Sequence, residues 1–450
     1  MNANNPILTA LGRASGERPD AMAVVDGEGI RTWHGLAREV DALAEQLARL
    51  GAGRVVLLVD QCAAALALLL AAARAGVDAL PVPALYGETA ARQLLEPHGF
   101  QRLLAARRGR LVELATRAAV ADPPGAEPAV CLLTSGSAGV PKCARHTWRT
   151  LAAAVRHRPR YAGRRWLVGY PLAHFAGLQV LCQCLLNRGV LILPRDFGPE
   201  AALEALERHG AEYLNATPTY LRRILLAGTP AGLRLRHITL GGEIVDQQIL
   251  DAVAARLPGV RVTHTYASTE AGAVLSVRDH RAGFDAALVD GERLKVADGE
   301  LVVRRSEGAM LGYAGQPLTD SWVATGDLVE ILDGRVVFLG RRDEVINVGG
   351  AKVYPGRVEA VIREVDGVVD ARVTGHRSSI VGQLVKALVW IEEGCDRKAV
   401  QEAVRRRCTD QLADYMVPRL FELTEGPRVT PSQKILCSQK ILCSQKILCS

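Results

Sequence analysis

Aromatic residues are scarce in this chain, 4% of 450 residues, so a core of ordinary density has to be filled mainly by Ala, Leu and Val. The net charge of +7 rests on arginine clusters such as Arg107, Arg108 and Arg110, Arg164 and Arg165, and Arg405 to Arg407. None has interleaved aromatics or a nucleic-acid-binding motif, so they read as solvated faces and no nucleic-acid partner is expected. Long apolar runs are missing too: Ala63 to Ala73 falls well short of the roughly 20 residues of a membrane span. Met1-Asn-Ala-Asn-Asn-Pro6 lacks the basic region and apolar core of a signal peptide. The ten cysteines show no paired spacing of a disulfide framework or zinc site, and Cys182-x-Cys184 in an apolar segment reads as core. A soluble, cytoplasmic protein without a membrane span is expected.

Strand-like and helix-like segments alternate through most of the chain. Leu36, Val40, Leu43, Leu47 and Leu50 recur at helical intervals after Thr32, a plausible N-cap, and Gly51 stops the helix. A strand at Arg54 to Asp60, an Ala/Leu helix to Ala75 and a strand at Asp78 to Val82 closed by Pro83 read as a parallel βαβ unit. The same alternation continues with strands near 166–170, 190–193 and 213–216 and helices near 179–186, 199–209 and 219–227. The predicted fold class is therefore α/β, a large N-terminal domain of layered, mostly parallel sheets. From Leu294 short alternating strands take over, as at Glu300–Arg304 and Gly334–Phe338, and predict a small β-subdomain. Gly340-Arg-Arg-Asp343 marks the expected boundary between a domain over 1–340 and a small α+β domain over 341–431. From Ser432 the hexamer Ser-Gln-Lys-Ile-Leu-Cys occurs three times and ends at Ser450. A period of six makes no helical stripe, so this 432–450 tail is expected to be disordered beyond Lys434.

One loop carries phosphate chemistry. Thr134-Ser135-Gly136-Ser137-Ala138-Gly139-Val140-Pro141-Lys142 follows the strand-like run Ala129 to Leu133. Hydroxyls and amides can donate to phosphate oxygens, glycines allow close approach, and Lys142 brings a mobile charge. Its spacing is not that of a Walker loop. Four further segments stand after it: Tyr170-Pro-Leu-Ala-His174-Phe-Ala-Gly177; Gly241-Gly242-Glu243 followed by Thr265-Tyr266-Ala267-Ser268-Thr269-Glu270-Ala-Gly272; Ala324-Thr325-Gly326-Asp327; and Gly340-Arg341-Arg-Asp343 through Gly349-Gly350 to Pro355. Taken singly, each has an ordinary explanation. His174 could be satisfied at a strand end, Ser268 or Thr269 could cap a helix whose first turn holds Glu270, and Gly349-Gly350 could be a tight turn between strands.

In that order, over nearly the whole chain, these segments resemble the adenylate-forming superfamily of acyl-CoA synthetases, peptide-synthetase adenylation domains and firefly luciferase. The resemblance implies ATP-dependent activation of a carboxylic acid to an acyl-adenylate, with ATP, Mg²⁺ and coenzyme A as cofactors. It places phosphate on Thr134, Ser135, Gly136, Ser137, Gly139 and Lys142, and adenine against Tyr266 in the Gly241–Glu243 and Ala267–Ser268 surroundings. Thr269 falls at the α-phosphate, Glu270 on the metal, and Asp327 and Arg341 on the nucleotide. His174 falls beside the acyl pocket, Asp343 at a hinge for the C-terminal domain, and Gly349-Gly350 in the loop of the second half-reaction. The catalytic lysine matches Lys434 in Thr430-Pro-Ser-Gln-Lys434. The chain departs from the family at Ala138, usually Thr, and at Gln433, usually Gly. Phe175-Ala176 lacks the Asp that amino-acid-activating members place after this Phe, so a small acyl or aryl acid is expected. The thiol acceptor is expected to be coenzyme A, with an acyl carrier protein in trans, or a non-catalytic nucleotide- or acyl-binding relative, as alternatives.

Overall fold

The apolar segment that is too short for a membrane forms the helix Ala63–Ala75, in which Ala63 to Ala73 are all buried, since a helix without a polar face belongs inside. The computed structural model describes residues 5–107, 109–117, 127–134, 141–229, 232–313, 316–317, 319–378 and 382–425. The buried helix joins the parallel strands Arg54–Val59 and Asp78–Pro83, the βαβ unit read from the sequence. Beside it lies Trp33–Leu50, where the Thr32 hydroxyl accepts the Gly35 amide at the start and Gly51, at φ 61°, ends the helix.

Two eight-stranded sheets enclose these helices. In the first, the strands Arg261–Ser268, His237–Gly241, Tyr213–Ala216, Arg165–Gly169, Val190–Ile192 and Met22–Asp26 lie side by side and parallel, with an antiparallel strand at each edge. In the second, Val130–Thr134 pairs antiparallel with Lys142–His146, which in turn carries the short strand Gly312–Tyr313. Residues from both sheets and from Pro6–Glu17, Trp33–Leu50, Ala63–Ala75 and Phe175–Leu186 form one buried cluster. Cys182 and Cys184 are fully buried in that cluster, as their apolar context predicted.

A five-stranded antiparallel sheet follows, from Phe284–Asp285 to Arg335–Arg341, and is the predicted β-subdomain. The last sheet has its own buried cluster over Ile346 to Val417, closed by the helices Pro355–Arg363 and Arg397–Gln411. Helix Pro355–Arg363 packs on strand Arg335–Arg341, and its Arg363 Nε lies 3.4 Å from Asp246 Oδ2 of the large domain. The same guanidinium reaches Glu359 at 3.8 Å and Asp370 at 3.5 Å, while Arg222 holds Asp246 from the other side. Among the described residues no helix is long and apolar enough to cross a membrane.

Candidate active site

Parallel strands bring their carboxyl ends to one edge, where open α/β sheets place their ligands. Here that edge carries Tyr170, Thr217, Gly241, Gly242 and Thr269 at the ends of four adjacent strands. The buried Tyr170 hydroxyl lies 2.6 Å from the Ala216 carbonyl and 3.1 Å from that of Gly241, tying three strand ends together. Burial, and then the Glu243 charge, push its phenol far up, so it stays neutral. Glu243 Oε2 accepts the Thr219 amide at 3.0 Å, at the start of helix Pro218–Ala227. Its Oε1 is buried with no hydrogen-bond partner among the described residues, and burial raises its pKa. Glu243 thus props a helix start, while Gly241 and Gly242 form the floor around it.

Ala267 and Ser268 end their strand, but no helix follows. The Ser268 hydroxyl accepts the Ala271 amide at 3.0 Å, and the chain returns as the antiparallel strand Gly272–Val277. The helix-cap alternative for Ser268, Thr269 and Glu270 is therefore wrong. The segment is a tight connection, and Gly272 shows why: at φ +77° a Cβ would lie 2.4 Å from the Gly308 carbonyl oxygen. Thr269 is buried, and the Glu270 carbonyl accepts the Met310 amide at 3.0 Å.

Two side-chain groups gather at this edge. In the first, the Tyr266 hydroxyl donates to Asp327 Oδ2 at 2.6 Å and Arg341 Nη1 donates to Asp327 Oδ1 at 3.1 Å. Arg341 also donates to the Thr325 carbonyl at 2.7 Å, and Phe338 stacks on Tyr266 with centroids 4.9 Å apart. Burial works against the Arg341 charge, yet Asp327 and Asp343 outweigh it and raise its pKa. In the second group, the Tyr313 hydroxyl donates to Glu270 Oε1 at 3.2 Å, and Lys142 Nζ sits 5.0 Å from the centre of the Tyr313 ring. Burial first, then the Glu270 charge, push the Tyr313 phenol up to about 12. The Thr134 hydroxyl, beside Lys142 across the hairpin and next to Tyr313, is buried at this group.

A lone carboxylate fits Mg²⁺, which keeps several waters and shares its shell with substrate phosphates. No cluster of three or more metal-binding side chains occurs among the described residues.

His174 stands half-buried at the start of helix Phe175–Leu186, on the same strand edge as Tyr170. Asp343 is exposed on a short turn, 3.7 Å from Arg341. Gly349 and Gly350 form the tip of the hairpin between Ile346–Val348 and Ala351–Val353, both at positive φ and both exposed, so the tight-turn reading of that pair holds. Ser135, Gly136, Ser137, Gly139 and Lys434 lie outside the described residues.

Two residues of this edge are not singled out by the sequence reading. Tyr313 follows a Gly in a two-residue strand, with no local signal. His146 shares a strand face with Lys142 and Ala144 by simple alternation, a signal that was available. It is fully buried, with Nε2 2.7 Å from the Thr269 carbonyl and Nδ1 2.9 Å from Thr150 Oγ1. Burial pulls its pKa down to about 4, although the Thr269 contact and Glu270 act to raise it.

The family model described as AMP-binding enzyme matches residues 11–314, and that of the AMP-binding enzyme C-terminal domain matches 357–434. A 2-succinylbenzoate–CoA ligase of Geobacillus kaustophilus is 28% identical over 339 residues, 69% of this chain and 68% of that protein. A probable 2-succinylbenzoate–CoA ligase of Mycobacterium tuberculosis is 30% identical over 319 residues, 67% of this chain and 78% of that one. The chain spans about two thirds of the length of several such curated relatives. Among solved structures, the amide bond synthetase McbA from Marinactinospora thermotolerans superposes with a TM-score of 0.71 at 25% identity, covering 96% of this chain and 99% of that one.

Proposed function

This chain belongs to the AMP-binding enzyme family, and we propose that it is an ATP-dependent, AMP-forming acid–thiol ligase of the acyl-CoA synthetase type. The observation that carries the reading is that Tyr266, Asp327 and Arg341 form one contacting group and Lys142, Tyr313 and Glu270 another, with Tyr266 and Glu270 four residues apart at the end of one strand. The first group offers an aromatic face and a carboxylate suited to a nucleoside. The second offers a cation and a hard oxygen ligand suited to a triphosphate.

In the first half-reaction a carboxylate oxygen of the acid bonds to the α-phosphorus while the bond to the bridging oxygen breaks, releasing pyrophosphate and leaving an acyl-adenylate. Lys142, and Lys434 from the C-terminal segment, stabilise charge gathering on the phosphate oxygens, the largest electrostatic task of such a step. Glu270 would hold a magnesium ion, which would supply further neutralisation of the triphosphate. In the second half-reaction a thiol sulfur bonds to the acyl carbon and AMP leaves. The exposed Gly349-Gly350 tip has to approach the site for this step, by rotation of the small domain about Asp343. The acceptor is coenzyme A, in line with the names of the curated relatives. Seven described cysteines are free, in accord with a reducing cytoplasm.

Pyrophosphate release measured over a panel of acyl and aryl acids, followed by mass analysis of products with coenzyme A, a carrier protein or an amine, tests the reading. Release with at least one acid and a coenzyme A thioester are expected. Transfer only to the carrier protein or the amine would replace the acceptor, and no release with any acid would replace the enzyme by a binding protein.

A further inference from the structure

A fully buried histidine between the phosphate-side hairpin and the Thr269–Glu270 connection has no part in the chemistry above. His146 lies on strand Lys142–His146, four residues from Lys142 and on the same face. A carbonyl oxygen only accepts, so the 2.7 Å contact with Thr269 requires a hydrogen on Nε2. In the neutral ring Nδ1 then turns a lone pair toward the Thr150 hydroxyl at 2.9 Å, whose single hydrogen also has the Thr147 carbonyl at 3.0 Å as an acceptor. Thr150 is itself fixed, because its oxygen accepts the Thr147 amide at 3.1 Å while the Thr147 hydroxyl accepts the Thr150 amide at 3.2 Å. The Thr269 carbonyl thus sets the ring tautomer, and Thr150 holds the other nitrogen from behind.

The object of the strut is the peptide before Glu270. The Thr269 carbonyl is held by His146, the Glu270 carbonyl by the Met310 amide, and the Ala271 amide by Ser268. Of these three ties the histidine reaches farthest, linking positions 123 residues apart and joining the hairpin that carries Lys142 to the connection that carries Glu270. A histidine kept only for packing would leave a ring nitrogen to any nearby partner. Here both nitrogens have partners, and that of Nε2 is the carbonyl of the residue before Glu270.

We propose that His146 is a positioning residue that sets the Glu270 carboxylate for the metal–triphosphate complex by fixing the Thr269 carbonyl against the Lys142 strand. The inference rests on the adenylating reading given above. Its test uses two amides that divide the imidazole. Asparagine places its amide near Nδ1 and cannot reach Thr269, whereas glutamine places its NH₂ near Nε2 and can.

ATP affinity of the full chain is measured by calorimetry with and without Mg²⁺, with no acid present, alongside melting temperature. His146→Gln is expected to keep the Mg²⁺-dependent gain in ATP affinity within about threefold of wild type. His146→Asn is expected to lose about 10- to 100-fold of it, the usual cost of removing a partner behind a metal ligand. Affinity for ATP without Mg²⁺ should be alike in both, and so should their melting temperatures. Equal Mg²⁺-dependent gains in the two variants would overturn the proposal. Should His146→Asn fail to fold, Thr150→Val and Thr150→Ser decide instead. The serine, which keeps the hydroxyl on Nδ1, must retain more of the gain than valine, and parity overturns the proposal. Wild type that binds ATP no better with Mg²⁺ and releases no pyrophosphate would refute the adenylating reading, and this inference with it. Wild type that does both while glutamine and asparagine match refutes the inference alone.

Discussion

Replacing Asp327 by alanine separates nucleotide binding from fold stability at a site where both are readable. A carboxylate has about four lone-pair positions. In Asp327 one on each oxygen is taken, by Tyr266 at 2.6 Å and by Arg341 at 3.1 Å, which leaves room for two ribose hydroxyls. The side chain is only 17% exposed, so bonds made there are little diluted by water. Hydrogen bonds involving a charged group are worth roughly 1 to 3 kcal/mol net, so Asp327→Ala should weaken ATP binding by about 5- to 150-fold. The same change takes the acceptor from the half-buried Tyr266 hydroxyl, at up to about 1 kcal/mol of stability because Thr325 remains beside it. Arg341, 41% exposed, can turn to water and adds little. Tyr266→Phe removes that hydroxyl without touching the carboxylate, so in that background the stability cost of Asp327→Ala should shrink while the ATP defect persists. Asp327→Asn, which keeps shape and one acceptor, should lie between wild type and alanine. The readouts are calorimetric ATP affinity, the ATP KM for pyrophosphate release, and melting temperature. Unchanged ATP affinity in Asp327→Ala would remove this residue from the nucleotide site.

Tyr313→Phe keeps the ring beneath Lys142 and removes the hydroxyl from Glu270. A several-fold fall in kcat for pyrophosphate release is expected, with a larger fall for Tyr313→Ala, and equal values for the two would deny the hydroxyl a role. Arg363→Ala removes the cation shared by Asp246, Glu359 and Asp370, whose pairs are nearly buried. Breaking a buried pair costs about 3–5 kcal/mol, and the low end is expected because Arg222 stays on Asp246. Faster hydrogen exchange in helix Pro355–Arg363 should report it, and unchanged protection would show that the clasp does not hold the domains. A chain ending after Cys437 should retain pyrophosphate release if Lys434 is the catalytic lysine. Loss on truncation, restored only with Lys440 or Lys446, would shift the register of the repeat.

What the sequence made legible follows from the range of the forces involved. The helix Trp33–Leu50 was readable because its cap, its apolar stripe and its terminating glycine lie within one segment. The strand Glu300–Arg304 was readable because alternation is local. The Ser268–Gly272 connection was open to two local readings because Ser, Thr and Glu serve helix starts and turns alike. What decided it was the Gly308 carbonyl, a neighbour 36 positions away in the chain that excludes any Cβ at position 272.

The same argument explains why motif residues were legible and their supports were not. Tyr266, Glu270 and Asp327 lie in segments recognisable by their order along the chain, yet their partners are fixed by sheet register. Arg341 meets Asp327 because the two face each other across an antiparallel pair. Tyr313 meets Glu270 because its two-residue strand sits at Ala144 on the hairpin of Lys142. Register depends on every residue of a strand pair, so a two-residue strand carries no signal of its own. His146 is the intermediate case: alternation assigns it to the face of Lys142, while only the folded chain shows that this face turns toward Thr269. A strand face shared with a phosphate-loop lysine is therefore where simple alternation in a sequence points to buried positioning groups. The opposite face of the same strand offers no such prospect, since Cys143 and Arg145 turn away from Thr269 and toward the pairs of the neighbouring strands.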